Sequence, residues 1–205
     1  MPSQIIGLNR VLAWGSFRVK NSPPPGDGVF GNAALTQAEF KVSGMNLVAT
    51  APGTSSDLKL EDTILVTVTL NPGVSWVANW VKQRQAAEQA LLLKHEQGHY
   101  NLVALLARDY FEALTPLRDK IYTDGADLQT DVTAITQSFQ SKAGPVQERY
   151  DDDTDHGSKQ PDQDKWNRLM RSAADEDMDP ATPAVSSHLR KKPLLSVLAA
   201  AGITI

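Results

Sequence analysis

Cysteine is absent from this chain of 205 residues. Its absence excludes disulfide bonds, thiolate metal ligands and a cysteine nucleophile. A metal site in this chain must therefore be built from His, Asp and Glu side chains. Since the chain has only four histidines, the candidate ligands are few.

The chain also lacks an excess of positive charge and a long apolar run. Its formal net charge is −4, so there is no basic field to attract nucleic acid, and nucleic acid is not expected as a partner. The apolar stretch from Pro193 to Ile205 is shorter than the ~20 residues that cross a bilayer, so no membrane span is expected. Met1 to Phe17 shows no basic segment followed by an apolar one, and as written it predicts no secretory signal.

The N-terminal third of the chain carries the strand signals. Three segments, Leu8–Lys20, Phe40–Thr50 and Thr63–Leu70, contain apolar residues in alternation or rich in β-branched types. Loops rich in Pro, Gly and Ser separate them at residues 23–28 and 52–56. We predict a small antiparallel sheet over about residues 8–70.

Helical signals dominate the rest, because Ala, Leu, Gln, Lys and Glu are frequent from Ser75 onward and Gly and Pro become rare. Pro161 is a favourable first-turn residue for the last predicted helix. The fold class is therefore predicted as α+β, a small N-terminal antiparallel sheet followed by helices, in one domain over residues 1–174. The predicted segments are a long helix over 75–114 that allows a break near its start, a second helix over about 116–142 that is weakened near Gly125, an acidic loop over 150–160 and a short helix over 161–174.

Residues 175–205 are predicted to form a tail that is acidic up to Pro183, basic at Arg190-Lys191-Lys192 and apolar from Pro193. Two interpretations stay open. The tail is a disordered appendage, which we favour, or its apolar end contacts the domain within the same molecule. In the second case the basic triplet meets the acidic stretch 151–179, and His188 lies near the site as an internal inhibitor.

The strongest chemical signal is the run His95-Glu96-Gln97-Gly98-His99. In a helix, residues four apart lie on one face, so His95 and His99 can reach one metal ion. Glu96 stands beside them, where a carboxylate can take a proton from a metal-bound water. Chance predicts on the order of 0.003 such motifs in this composition, so the pattern indicates a zinc-dependent hydrolase with Glu96 as general base. Gly98 costs roughly 1 kcal/mol inside a helix, which predicts close approach of another backbone or of substrate.

A catalytic zinc ion usually has three protein ligands, and helical spacing does not supply the third. One extended form of the motif needs His at position 105, which is Leu105. Asp109 or Glu112 on the same helix, or a group from elsewhere, are the remaining candidates. His156 stands in a polar stretch that composition alone predicts to be solvated.

Several blocks together resemble a bacterial family catalogued as a domain of unknown function and described as predicted secreted zinc-dependent proteases. The resemblance spans roughly residues 8–172 and does not include the tail. It implies a zincin-like metallopeptidase of residues 1–174, a peptide or protein substrate, a secreted or periplasmic location, and a third zinc ligand in the second His-containing block, assigned to His156. The blocks are Leu93-Lys94-His95-Glu96-Gln97-Gly98-His99-Tyr100, Tyr150-Asp151-x-x-Thr154-x-His156-Gly157 and Gln163-x-x-Trp166, with Trp14, Phe17 and Ser75-Trp76.

Within the second block, Tyr150 is a candidate hydrogen-bond donor to the oxyanion, and Asp151 or Asp155 a candidate partner that orients a ligand histidine. The tryptophans Trp76, Trp80 and Trp166 are predicted to be core or cleft-wall residues.

The sequence thus predicts a metallopeptidase in which His95, His99 and His156 bind zinc and Glu96 activates water. Two alternatives stay open: a zincin-fold module that holds zinc without turnover, as a structural or interaction site, and a zinc amidase acting on a non-peptide bond, for instance in the cell wall. Glu96 discriminates against the first, because a purely structural site needs no carboxylate there.

Overall fold

The computed structural model describes residues 4–22, 33–50, 57–60, 64–174 and 192–205. The loops predicted at 23–28 and 52–56, as well as His188, Arg190 and Lys191, lie outside these ranges. The strands are β1 Gln4–Ile6, β2 Arg18–Lys20, β3 Ala34–Leu35, β4 Ala38–Ser43, β5 Leu47–Ala49, β6 Leu58–Leu60, β7 Leu65–Leu70 and β8 Trp76–Ala78. The helices are α1 Ala86–Leu114, α2 Gly125–Thr154, α3 Gln160–Ala174 and α4 Leu194–Ala200, with 3-10 turns at Trp14–Ser16, Asn79–Gln83 and Thr115–Asp119.

The strands form small sheets of mixed pairing. β7 lies between β1, which is parallel to it, and β4, which is antiparallel. A second sheet has the order β2-β8-β3, again with one parallel and one antiparallel pair, and β5 and β6 form an antiparallel pair. The α+β class is confirmed, but the sheet is not purely antiparallel, because long connections join β1 to β7 and β2 to β8 and permit parallel pairing.

The predicted strand over Leu8–Lys20 is reduced to its last three residues, β2. The segment before it is held to α1 by a side chain instead of a strand ladder: Leu12 N donates to Gln97 Oε1 at 2.7 Å, and Gln97 Nε2 donates to Arg10 O at 3.0 Å. The buried residues of this segment, Leu8, Leu12 and Phe17, do not follow one another at intervals of two. The alternation of apolar residues in the sequence was therefore not that of a strand with one buried face.

The long helix begins at Ala86 and not at Ser75. Trp76–Ala78 forms β8, the central strand of its sheet, and a 3-10 turn follows. Absence of Gly and Pro was a poor helix signal here, since the aromatic and β-branched residues Trp76 and Val77 favour a strand that is paired on both sides.

α2 continues through Gly144 and Pro145 to Thr154, so the prediction of a helix ending near residue 142 and an acidic loop from residue 150 is wrong. Gly144 has no Cβ to meet the ring of Pro145, which weakens the usual conflict before proline. Val146 and Tyr150, which follow Pro145, are both fully buried. Their packing outweighs the backbone hydrogen bond that the proline removes. As a result, Tyr150 and Asp151 lie on a helix.

The predicted helix over 161–174 is confirmed as α3. The apolar end of the tail packs on the domain through α4, whose Leu194 and Leu198 are fully buried. Two charged residues of α1 hold its start: Asp109 Oδ2 accepts from Leu194 N at 2.7 Å, and Arg108 donates to the carbonyl of Lys192 at 3.1 Å. Of the two interpretations of the tail, the packed one describes residues 192–205.

Helix α1 lies between two apolar clusters. Val103, Ala104 and Ala107 face the cluster built with the sheets, while Leu102 and Leu106 belong to the cluster formed with α2, α3 and α4. This burial on both sides makes α1 the central element that positions the site. In the part of the chain that the structure describes, no helix is both long and apolar enough to cross a membrane.

Candidate metal centre

His95 and His99 lie one turn apart on the buried face of α1, and their rings meet edge to face with centroids 4.7 Å apart. Their Nε2 atoms are separated by 3.1 Å. Both residues are nearly inaccessible, at 2 % and 8 % exposure. The predicted convergence of the two imidazoles on one point is therefore present in the fold.

Asp151 of α2 adds a carboxylate to this pair. Its Oδ1 lies 3.0 Å from His95 Nε2 and 2.9 Å from His99 Nε2. Burial acts to raise the pKa of Asp151, but hydrogen bonds with His95 and His99 outweigh it and hold the pKa well below its usual range. The carboxylate is thus ionised and faces both ring nitrogens.

The neighbouring carboxylates also change the pKa of His99. Burial acts to lower the pKa of His99, but the hydrogen bond with Asp151 and the negative charge of Glu96 outweigh it, so the pKa is raised. Two carboxylates next to two imidazoles make a site that favours positive charge, which is what a divalent cation requires.

His156 lies beside this group. It follows α2 in a short left-handed stretch, where Asp155 and His156 each have φ 50° and Gly157 has φ 84°. Its half-exposed side chain brings Nδ1 to 3.4 Å from Asp151 Oδ1. Among the described residues, the group whose ligand atoms all lie within 4.8 Å of one another consists of His95, His99 and Asp151. The assignment of His156 as third ligand stays a prediction, and Asp151 is the candidate ligand that the geometry adds.

The other candidates for a third ligand on α1 lie elsewhere. Asp109 is buried between Arg108 and the backbone of Leu194 and holds α4 in place. Asp109 and Glu112 both lie more than three helical turns beyond His95, outside the cluster of ligand atoms.

Glu96 points into the cleft beside the histidines. Its side chain is buried at 3 % exposure, and Oε2 accepts a hydrogen bond from Thr36 Oγ1 at 2.6 Å. Thr36 belongs to the loop between β3 and β4, so the sheet fixes the carboxylate from the side opposite α2. A pinned carboxylate next to a metal site is the arrangement that proton transfer from water requires.

The cleft above the cluster has a volume of about 520 Å³, within the ~300–1,000 Å³ typical of ligand sites. β3 and the loop after it form one wall, and α2 forms the other. Trp76 lines the cleft, whereas Trp80 and Trp166 are buried in the two cores. The lining residues with polar side chains are Thr36, Gln37, His95, Glu96, His99, Gln147, Glu148, Asp151 and His156.

Tyr150 lies behind His95 instead of facing the cleft. Its ring is stacked on the imidazole of His95, 4.8 Å away, and its hydroxyl donates to the carbonyl of His95 at 3.2 Å and accepts from Gln163 at 2.6 Å. Burial raises the pKa of this hydroxyl. Since Tyr150 is fully buried and both bonds are made inside the protein, the position does not fit the predicted contact with a substrate oxyanion. It fits a support for His95.

The side chain of Tyr150 leaves no room for a Cβ at Gly98. A Cβ at Gly98 would lie 2.1 Å from Tyr150 Oη and 2.7 Å from Cζ. The close approach predicted for Gly98 is therefore real, but the partner is a side chain and not a backbone or a substrate. Gly157 has a similar function on the other side, because a Cβ there would lie 2.8 Å from Cβ of His95.

Replacing Gly98 with Ala is expected to destabilise the protein by roughly 2 kcal/mol, because a contact at 2.1 Å with a buried ring lies at the upper end of the ~1–3 kcal/mol that overpacking costs and the helix gains back about 1 kcal/mol. Urea unfolding measures the change. Gly125→Ala at the start of α2 is the control, since its Cβ would meet only Leu47 Cδ1 at 3.9 Å. If Gly98→Ala proved as stable as the wild type, Tyr150 would not be held as the structure shows.

Three contributors to the site, Thr36, Gln147 and Gln163, had no function predicted from the sequence. Asp151 was named as a residue that orients a histidine, whereas the structure places it among the candidate ligands. Gln163 belonged to a quoted motif, so a signal was present. Thr36 and Gln147 carried none, because their contacts with Glu96 and His99 are distant in sequence.

Comparisons with known proteins give no match: no family model, no curated protein and no solved structure is significantly similar to the chain. The resemblance to the family of predicted zinc-dependent proteases therefore stays a prediction, and the function is argued from the site alone.

Proposed function

We propose that this chain is a zinc-dependent metallopeptidase in which His95, His99 and Asp151 hold the ion and Glu96 is the general base. One observation carries the proposal. Three ligand atoms from two helices converge at the floor of a cleft, and a buried carboxylate fixed by the sheet lies beside them.

The donor set fits zinc. Zinc at about 2.0–2.2 Å from nitrogen and oxygen ligands in a tetrahedral arrangement would separate the ligand atoms by roughly 3.3–3.6 Å. The separations here, 3.1, 3.0 and 2.9 Å, are slightly shorter, so small outward rotations of the side chains suffice. Two imidazoles and one carboxylate are also a usual ligand set for a catalytic zinc ion, which keeps a fourth position open.

The bound ion would supply a Lewis acid that polarises a carbonyl oxygen and lowers the pKa of a water molecule to about 7. Glu96 then accepts the proton of the attacking water and returns it to the leaving amine. Thr36 donates to Glu96 Oε2 and so holds the carboxylate in place. Tyr150 holds the backbone of His95 from behind.

The cleft wall fits an extended peptide. β3 is the last strand of its sheet among the described residues, and its residues Ala34 and Leu35 line the cleft. A peptide segment can pair with such an edge through backbone hydrogen bonds, which places a scissile carbonyl over the metal-binding groups. This wall supports a peptide substrate over a small non-peptide amide.

The test is metal content together with hydrolysis. Purified protein dialysed against zinc is expected to retain about one zinc ion per chain, measured by atomic emission, and to cleave a peptide library. Removing zinc with a chelator should abolish cleavage, and adding zinc back should restore it. Full cleavage by the metal-free protein would refute the proposal, and so would a zinc-loaded protein that cleaves no peptide.

A further inference from the structure

Each of the two histidines of the metal centre meets a glutamine side chain at its second ring nitrogen. Gln163 of α3 reaches His95, with Oε1 3.1 Å from Nδ1. Gln147 of α2 reaches His99, where its Oε1 contacts Nδ1. We propose that Gln147 and Gln163 are positioning residues that fix the tautomer and orientation of both rings, so that both Nε2 lone pairs face the metal. The proposal deepens the proposed function and rests on its metal site.

The orientation of the Gln163 amide follows from its neighbours. The Tyr150 hydroxyl uses its hydrogen on the carbonyl of His95, so its oxygen can only accept, and Gln163 Nε2 donates to it at 2.6 Å. Gln163 Nε2 also donates to Asn167 Oδ1 at 3.2 Å. With the NH2 group placed in this way, Oε1 is the atom that faces His95 Nδ1, and that nitrogen must carry the hydrogen.

A second acceptor at the same nitrogen points to the same tautomer. Thr154 Oγ1 lies 3.5 Å from His95 Nδ1, and its own hydrogen is donated to the carbonyl of Tyr150 at 2.7 Å. Gly157 N donates to Thr154 Oγ1 as well, at 3.3 Å. The hydroxyl can therefore only accept from the ring, so both neighbours of Nδ1 require a hydrogen on it.

Gln147 holds His99 with both ends of its amide. Its Nε2 donates to the backbone carbonyl of His99 at 3.1 Å, and a carbonyl oxygen can only accept. The amide oxygen is thereby turned toward Nδ1 of the same residue. One side chain thus links the backbone and the ring of His99, which fixes the rotation of the imidazole as well as its tautomer.

The choice of glutamine matters for the ligands. A metal-binding imidazole usually donates its second N–H to a carboxylate, a carbonyl or water. The amide oxygens of Gln147 and Gln163 are neutral acceptors, so they select the tautomer without adding negative charge to the site. Asp151 and Glu96 remain the carboxylates next to the histidines, so a bound ion would keep more of its positive charge for polarising a carbonyl.

The test compares Gln147→Leu and Gln163→Leu with the wild type, using competition with a coloured chelator to measure the Kd for zinc. Each variant is expected to bind zinc about 10- to 100-fold more weakly. The variant Gln147→Glu keeps an oxygen acceptor, and its Kd for zinc is expected to lie within about tenfold of that of the wild type. Gln129→Leu replaces an exposed glutamine of the same helix and should leave the Kd unchanged.

A metal-free measurement makes failure of this proposal distinguishable from failure of the proposed function. ¹⁵N NMR of metal-free Asp151→Ala protein, in which no Asp151 carboxylate competes for hydrogen on the Nε2 atoms, is expected to show His95 and His99 with hydrogen on Nδ1. Adding Gln147→Leu should remove this preference at His99 only. Adding Gln163→Leu should weaken it at His95 only, where Thr154 remains as an acceptor. Unchanged tautomers or wild-type Kd in both Leu variants would overturn the positioning function while zinc binding by the wild type stands. A wild type that binds no zinc overturns the metal site itself.

Discussion

Glu96→Gln is expected to bind zinc as the wild type does and to lose peptide hydrolysis by about 10²- to 10⁴-fold in kcat, the usual contribution of a general base. The amide has the shape of the carboxylate, and its oxygen can still accept from Thr36. It cannot take a proton from water. Replacing one carboxylate oxygen with an NH2 group should therefore abolish hydrolysis without changing zinc binding. Steady-state kinetics measures the first effect and metal analysis the second.

Glu88→Gln is the matched control. Glu88 lies in the first turn of the same helix and forms a partly exposed ion pair with Arg84 at 3.8 Å, so its loss should leave both zinc content and kcat unchanged. If Glu96→Gln kept wild-type kcat, the water would be activated without this carboxylate. A non-catalytic zinc module would instead show no hydrolysis in either variant or in the wild type.

The part of the site that depends on local geometry could be predicted from sequence. Residues four apart in a helix share a face regardless of what surrounds the helix, so the pairing of His95 and His99 followed from their spacing. The helix itself was evident in the apolar residues on both sides of the motif. Its start was not, because Trp76 and Val77 could be assigned to β8 only by knowing that β2 and β3 pair with them.

The part of the site that depends on tertiary packing could not be predicted. Asp151 reaches the histidines because α2 continues past Gly144 and Pro145, and local propensity predicts a break there. The break is overcome by burial of Val146 and Tyr150, a contribution visible only when α1 and α3 are in place. The fold class could be predicted from composition, whereas the candidate ligand Asp151 depends on how far helix α2 continues.

The structure also changes how Gly98 is understood. The sequence predicted that another backbone or a substrate approaches Gly98, but the space is taken by the hydroxyl of Tyr150. That hydroxyl connects the carbonyl of His95 to Gln163. The HExxH motif, Tyr150 and Gln163 therefore form one connected unit.

Asp151→Ala is expected to weaken zinc binding by more than about 100-fold, beyond the 10- to 100-fold that loss of an orienting partner costs. The carboxylate lies within 3.0 Å of both Nε2 atoms, so its removal deletes a ligand. His156→Ala is expected to have a much smaller effect, since the ring is half-exposed and contacts Asp151 at 3.4 Å. Zinc Kd values from chelator competition give the order of the two variants.

Asp152→Ala serves as the matched control, because Asp152 is the exposed carboxylate next in sequence on α2. It should bind zinc with the wild-type Kd. If the order of the other two variants were reversed, with His156→Ala losing zinc and Asp151→Ala retaining it, the left-handed stretch Asp155–Gly157 would have to swing His156 toward His95 and His99, and Asp151 would orient a ligand instead of being one. The predicted order follows from distance: Oδ1 of Asp151 already lies where a third ligand atom must be, and the imidazole of His156 does not.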